Sequence, residues 1–110
     1  MFLIRLLLEL RRILNITGYD VVLDSIQYNG QQNTYSFTAD RGGDHSFVIT
    51  NTQNGLYCSV YVYDCDGYRV GYSSMLSADE YLSVSLTQGE TYTVKVTYYS
   101  GYGEYGLLIR

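Results

Sequence analysis

The sequence predicts an all-β fold: a jelly-roll-like antiparallel β-sandwich of about eight strands, preceded by one short N-terminal amphipathic α-helix. The 110 residues include 14 Tyr, a type enriched in strands, and 11 Gly, which favour turns. Beyond Gly18, apolar and polar residues alternate with a period of two, as in strands with one buried face. The length suits a single core, so we expect a helix over residues 1–15 and one sandwich domain over residues 16–110.

The predicted helix is rich in Leu and contains neither Gly nor Tyr. Arg5, Glu9 and Arg12 follow i, i+4, i+7 spacing, which places them on one polar stripe. The remaining apolar surface would need a cover: the sandwich, further copies of the helix in a homo-oligomer, or a membrane surface or partner domain. The interaction positions predicted on this helix are Leu3, Leu6, Leu7, Leu10 and Leu14.

The same N-terminal segment is too short for a transmembrane span, which needs about 20 apolar residues. Charged residues interrupt its apolar run, and no small-residue cleavage site follows before Gly18, so it also makes a poor signal peptide. We therefore expect neither a membrane span nor a signal peptide here.

The sandwich is predicted from alternating runs separated by turn residues such as Asn29-Gly30, Asn54-Gly55 and Asp66-Gly67. Many short strands at such regular spacing favour a sandwich or barrel over a sheet with helical crossovers. The predicted strands are Val21 to Tyr28, Thr34 to Thr38, His45 to Thr50, Tyr57 to Asp64, Tyr68 to Tyr72, Tyr81 to Leu86, Thr91 to Tyr99 and Tyr105 to Ile109.

The alternation also predicts which side chains face the core, because residues two apart share one face of a strand. The predicted inward side chains are Tyr35, Phe37, Phe47, Ile49, Cys58, Val60, Val62, Leu82, Val84, Leu86, Tyr92, Val94, Val96, Tyr105, Leu107 and Ile109. Cys58 and Cys65 would lie about 23 Å apart on one extended segment, too far for a disulfide between them.

Charge and histidine content exclude several functions. Beyond residue 15 the chain has four basic and ten acidic residues, a net charge of −6, so it lacks the basic surface that binds nucleic acid. His45 is the only histidine, and its neighbours Asp44 and Ser46 would point to the opposite face of the same strand. A catalytic triad cannot form from these three residues, and we expect no enzyme activity.

Four segments, in this order, resemble the bacterial pre-peptidase C-terminal domain. They are Asn33-Thr-Tyr-Ser-Phe-Thr-Ala39, Ser59-Val-Tyr-Val-Tyr-Asp-Cys-Asp-Gly67, Leu86-Thr-Gln-Gly-Glu-Thr-Tyr-Thr-Val-Lys-Val96 and Gly103-Glu-Tyr-Gly-Leu-Leu-Ile109. The resemblance covers nearly all of residues 18–110, and its motifs place core and turn residues only. It implies a non-catalytic accessory domain, extracellular or at the cell surface, that assists a larger secreted protein.

Outward tyrosines form the predicted binding site. Tyr57, Tyr61 and Tyr63 alternate with the inward side chains of their strand, and Tyr99 is outward by the same count. Exposed tyrosines can stack on sugars or fill a protein interface. The same rings can also simply stabilise an exposed sheet through cross-strand pairs, or lie beneath the N-terminal helix.

Asp64 and Asp66 are the predicted metal ligands, since Asp64-Cys65-Asp66-Gly67 resembles the opening of a calcium loop. The Glu that would complete such a loop is missing, because Ser73 and Ser74 occupy that region. A hairpin turn explains the same residues. We expect no cofactor other than a possible calcium ion.

The sequence therefore predicts a non-catalytic accessory module that attaches to a protein or a polysaccharide surface. Two alternatives remain open: a carbohydrate-binding module that uses the outward tyrosines, and a homo-oligomeric structural protein assembled through its N-terminal helix.

Overall fold

The computed structural model describes residues 13–16, 21–52 and 55–110. Strands account for most of these residues because alternating apolar and polar side chains suit a sheet with one buried face. The strands are β1 (Ile13–Ile16), β2 (Val21–Ile26), β3 (Gln32–Thr38), β4 (Gly43–Thr50), β5 (Tyr57–Tyr63), β6 (Arg69–Leu76), β7 (Glu80–Leu86), β8 (Thr91–Ser100) and β9 (Gly103–Ile109).

Two sheets pack face to face. The five-stranded sheet has the order β1-β3-β8-β5-β6, and the four-stranded sheet has the order β2-β9-β4-β7. All pairs are antiparallel except β1 with β3. All eight predicted strands are present as β2 to β9, so the predicted all-β sandwich is confirmed. Within the described residues, no helix is long and apolar enough to cross a membrane.

The first strand differs from the sequence prediction. Ile13–Ile16 pairs in parallel with β3, from Ile13 opposite Thr34 to Ile16 opposite Phe37. Leu14, predicted to lie on the interaction helix, is therefore in a strand, which completes the pairing of a β3 edge that would otherwise be open. Apolar residues at 13 and 14 fit the helical period of 3.6 as well as the strand period of two. Periodicity alone therefore assigned them to the predicted helix. The other predicted positions, Leu3, Leu6, Leu7 and Leu10, lie outside the described residues.

The core lies between the sheets, where fifteen of the sixteen predicted inward side chains are buried and Leu82 is half-buried against them. Phe37 and Phe47 meet edge to face across the sheets, with ring centroids 6.4 Å apart. The core also contains side chains that alternation alone did not assign: Ile26, Ala39, Leu56 and Leu76.

The sheets approach each other closely where β6 crosses β7. A Cβ atom on Gly71 would lie 2.5 Å from Cγ2 of Val84, a separation that real Cβ atoms essentially never show. Any larger residue here would have to displace the side chain of Val84 on the facing strand. Gly71 therefore sets the position of β6, which forms one edge of the candidate site.

Candidate functional site: a tyrosine face on the five-stranded sheet

The outer surface of β5, β6 and β8 brings aromatic and cationic side chains together. Tyr61 on β5 lies opposite Tyr72 on β6 and opposite Lys95 on β8. Their neighbours along each strand point inward, as the burial of Val60, Val62, Val94 and Val96 shows. We call the group comprising Tyr61, Tyr63, Arg69, Tyr72 and Lys95 the tyrosine face.

The ring of Tyr61 contacts two other rings of the tyrosine face. The ring centroids of Tyr61 and Tyr72 are 4.7 Å apart with a tilt of 37°. Tyr61 and Tyr63 are nearly parallel, with 9° between their planes and 6.3 Å between their centroids. Contacts of this kind contribute about 0.5–1.5 kcal/mol beyond burial. These contacts favour the observed ring orientations, although Tyr72 is 44% exposed.

Each end of the ring group is associated with a cation. The guanidinium carbon of Arg69 lies 5.1 Å from the ring centroid of Tyr72, and Nζ of Lys95 lies 5.4 Å from that of Tyr63. Both distances are within the range of cation–π attraction. Among the described residues, neither cation has a carboxylate oxygen within 4.0 Å. The tyrosine face therefore presents positive charge on a chain whose net charge is −4.

The hydroxyl of Tyr61 is affected by its surroundings. Burial raises the pKa of Tyr61, and the neighbouring Tyr72 raises it further through its charge and a hydrogen bond. Arg69 opposes this shift to a smaller extent. The phenol of Tyr61 therefore stays protonated, and able to donate a hydrogen bond, at neutral pH.

A groove of about 570 Å³ opens beside the tyrosine face, at the turn between β5 and β6. Its lining combines Lys95 and two threonines of β8 with residues of the turn. Thr91 is held by a 2.8 Å hydrogen bond between its Oγ1 and that of Thr38 on β3. The lining residues are Tyr63, Asp64, Cys65, Gly67, Thr91, Thr93 and Lys95.

The structure brings together two of the four predicted tyrosines, Tyr61 and Tyr63. Tyr57 and Tyr99 are exposed near the other end of β5, where Tyr57 pairs with Ser100 and Tyr99 is the extra residue of a β-bulge. In the described part of the chain, no ring contact joins either of them to Tyr61.

Sequence reasoning missed three members of the tyrosine face: Arg69, Tyr72 and Lys95. Alternation within β8 already indicated an outward Lys95, because Val94 and Val96 were predicted inward. Placing Tyr72 beside Tyr61 required the pairing register of β5 with β6, and this pairing contains two irregularities. Such register shifts leave no clear pattern in the sequence.

Asp64 and Asp66 lie in the β5–β6 turn. The Asp64 carboxylate oxygen Oδ1 accepts hydrogen bonds from the backbone N–H groups of Asp66, at 3.0 Å, and Tyr68, at 2.9 Å. The Asp64 side chain thereby stabilises the turn. Among the described residues, no three His, Cys, Asp or Glu side chains are grouped closely enough to hold a metal ion. Calcium at Asp64 and Asp66 stays a prediction.

His45 is buried in the core. Its Nδ1 lies 3.0 Å from the carbonyl oxygen of Gly43. Its ring packs edge to face against Phe37, with 5.9 Å between the ring centroids. Nε2 is buried and has no hydrogen-bond partner among the described residues. Asp44, by contrast, is exposed, so these neighbouring side chains point to different environments.

A second concavity, of about 560 Å³, lies where β2 meets β9 and includes Asp24, Glu104 and Tyr105 in its lining. Two of its lining groups are bonded within the fold: Oδ2 of Asp24 accepts a hydrogen bond from the hydroxyl of Tyr35 at 2.7 Å, and the hydroxyl of Tyr105 accepts one from Nδ2 of Asn33 at 2.9 Å. These bonds connect β2, β3 and β9 across the two sheets. Their arrangement explains why polar side chains are tolerated in the core.

Comparison with solved structures confirms the fold expected from the resemblance. The chain is similar to the pre-peptidase C-terminal domain of a collagenase from Bacillus anthracis, with a TM-score of 0.69 and 14% identity, over 89% of this chain and 94% of that chain. It is also similar to a mitogen derived from Yersinia pseudotuberculosis, with a TM-score of 0.60 and 18% identity, over 86% of each chain.

A third similar structure is a periplasmic inhibitor of g-type lysozyme from Aeromonas hydrophila, with a TM-score of 0.56 and 12% identity, over 89% of this chain and 96% of that chain. At such low identities the likeness establishes the fold alone. No family model matches the chain, and no curated protein matches its sequence.

Proposed function

We propose that the protein is a non-catalytic binding module and that the tyrosine face is its protein-binding surface. The observation that supports this most directly is the packing of Tyr61 against both Tyr63 and Tyr72, beside two cations that lack ion-pair partners among the described residues. Tyr and Arg are enriched among the residues that dominate protein interfaces. Rings already held in place lose little conformational entropy when a partner binds.

The similar structures agree with a binding role without defining a partner. One is named as an inhibitor of a lysozyme, a protein target, and another as a domain of a collagenase. We propose, by the same analogy, that this chain acts outside the cytoplasm as an accessory module. Assembly through the N-terminal segment stays a prediction.

The ring geometry favours a protein partner over a carbohydrate. Tyr61 packs against both Tyr63 and Tyr72, so less of its ring face is free to stack on a sugar. The exposed edges and hydroxyls of the rings remain available, together with the two cations. Such mixed aromatic and polar groups suit a protein interface, where tyrosine offers a large apolar area and a hydrogen bond.

Selection from a random peptide library displayed on phage tests this proposal. The full chain is immobilised, and enriched peptides are measured against the double variant Tyr61→Ser/Tyr72→Ser. The matched control is Leu23→Ser/Tyr81→Ser, which removes two exposed apolar side chains from the outer face of the other sheet. Denaturation curves establish that both variants fold, and the single variant Tyr72→Ser replaces the double variant if that one does not.

We expect enriched peptides to lose at least tenfold in affinity on the tyrosine-face variant and to keep their affinity on the control. Peptides that bind both variants equally, or that lose affinity only on the control, would place the binding surface elsewhere. Failure to enrich any peptide that depends on Tyr61 or Tyr72 would also contradict the proposal.

A further inference from the structure

We infer that the groove beside the tyrosine face recognises a carboxylate, and that its ligand is an acidic, extended segment of a protein partner. This inference rests on the proposed function, since it specifies the chemistry of the partner that the tyrosine face binds. The recognition group is the ammonium of Lys95, supported by the hydroxyls of Thr91 and Thr93.

Lys95 is the only lysine in the chain. It lies on β8, the middle strand of the five-stranded sheet. Its β-sheet neighbours are Thr34 on β3 and Tyr61 on β5, both uncharged. The ring of Tyr63 lies near its ammonium, 5.4 Å from Nζ, and is also uncharged. Because no carboxylate of the described residues lies within 4.0 Å of Nζ, the ammonium is not neutralised within that part of the fold.

A cation without a nearby carboxylate is unusual for this chain, in which acidic residues outnumber basic ones by eleven to seven. Arg41, for comparison, lies 4.0 Å from the carboxylate of Asp40. The two cations of the tyrosine face instead contact aromatic rings, which attract a cation without cancelling its charge. A carboxylate from outside can therefore pair with Lys95 without first displacing a carboxylate of the described residues.

The groove has the polar groups needed to orient a carboxylate. Thr91 and Thr93 lie on the same face of β8 as Lys95, at two-residue spacing, so their hydroxyls and the ammonium form a row. The groove lining also includes Asp64, whose Oδ1 already accepts hydrogen bonds from two backbone N–H groups. These two bonds offset part of its negative charge, which lessens its repulsion of an incoming anion.

An extended peptide suits the shape of this surface better than a compact ligand. The row of Thr91, Thr93 and Lys95 follows a strand, with the rings of β5 and β6 beside it. A strand-like segment can place acidic side chains along the row at the same two-residue spacing while its other side chains contact the rings. The inferred ligand is therefore a segment with acidic residues at alternate positions.

Nuclear magnetic resonance with selectively labelled lysine provides the test. Because the chain has one lysine, growth on labelled lysine yields signals from Lys95 alone. The probes are a capped octapeptide of alternating Glu and Ser and the same octapeptide with Gln in place of Glu. Oligogalacturonate is added as a separate probe, to distinguish an acidic glycan from an acidic peptide. Each is titrated into the full chain, into Lys95→Met and into the control Arg41→Met, and a second, backbone-labelled sample of each protein reports the amide signals.

We expect the Glu peptide to shift the Lys95 signals and the amide signals of Thr91 and Thr93. Replacing Glu by Gln in the peptide, or Lys95→Met in the protein, should weaken binding at least fivefold. Arg41→Met should leave the affinity unchanged. Equal binding of the Gln peptide, or equal loss in Arg41→Met, would overturn the inference. So would binding of oligogalacturonate without binding of the Glu peptide, which would indicate a glycan. If the selected peptides still depend on Tyr61 and Tyr72 when Lys95→Met has no effect, only the carboxylate inference fails and the proposed function stands.

Discussion

The two outer faces of the sandwich expose aromatic and apolar side chains in different ways. On the five-stranded sheet, Tyr61 and Tyr72 contact each other and lie beside cations. On the four-stranded sheet, pairing aligns an uncharged row across all four strands: Val21, Leu108, Val48 and Tyr81. Val21 and Tyr81 are exposed, Val48 is buried, and Tyr81 is the single aromatic side chain of the row.

The difference shows that exposure alone does not identify a recognition surface. Tyr81 is 58% exposed and Leu23 73%, both more than Tyr72 at 44%. The tyrosine face is distinguished by ring contacts and by positive charge that no carboxylate of the described residues neutralises, and these features provide direction and specificity. The outer face of the four-stranded sheet offers apolar area, whose burial is favourable but gives little specificity for one partner over another.

The largest expected effect concerns the core on which both faces rest. Phe47→Ala should lower the free energy of unfolding by about 3–5 kcal/mol, because it removes a fully buried ring and leaves a cavity against Phe37. Tyr81→Ala, on the outer face next to the same strand, should cost less than about 1 kcal/mol. Denaturant titration measures both, and similar losses would show that the outer side chains help to form the core.

A second expected effect is a pH dependence of the free energy of unfolding, caused by Cys58 on the inward side of β5. Burial raises the pKa of the Cys58 thiol to about 12, so the folded state keeps the proton that the unfolded chain releases near pH 9. Stability should therefore fall as pH rises above 9, by up to about 1.4 kcal/mol per pH unit from this thiol.

The matched variant Cys58→Ala removes that thiol and should show a shallower decline between pH 9 and pH 11. The two proteins differ only at residue 58, so the difference between their stability curves isolates the contribution of the Cys58 thiol. Parallel stability curves would contradict its buried, protonated state.

The smallest expected effect is the coupling between rings of the tyrosine face. A double-mutant cycle of Tyr61→Ala and Tyr72→Ala should give a coupling energy of about 0.5–1.5 kcal/mol, because their centroids are 4.7 Å apart. The control cycle, Tyr81→Ala with Tyr72→Ala, joins opposite faces and should give a coupling near zero. Equal coupling energies in the two cycles would show that Tyr61 and Tyr72 do not interact specifically, and the ring contacts would no longer distinguish the tyrosine face from the other face.

Much of the fold could be predicted from the sequence because its causes are local. Alternation placed Val60, Val62 and Val94 inward, and Asp66-Gly67 marked a turn that the structure contains. The strand β1 could not be predicted in this way, because an apolar pair such as Ile13 and Leu14 suits a helix or a strand, and its pairing with β3 depends on contacts distant in sequence.

The candidate site was predictable only in part, for a similar reason. Outward orientation follows from alternation, so Tyr61 and Tyr63 were found, but Tyr57 and Tyr99 satisfied the same rule without joining the ring group. Which outward side chains meet depends on strand order and register, and the irregular pairing of β5 with β6 is what brings Tyr72 to Tyr61. The buried polar network around Tyr105 likewise depends on how the sheets stack.

Cross-saturation nuclear magnetic resonance on a complex with a selected peptide tests the central claim most directly. The deuterated, ¹⁵N-labelled full chain is bound to the protonated peptide, and intensity losses locate the contact surface. We predict losses on the amides of β5, β6 and β8, centred on Tyr61, Tyr72 and Lys95. Losses confined to β2 and β9, around Leu23 and Leu108, would contradict the assignment of the tyrosine face as the binding surface.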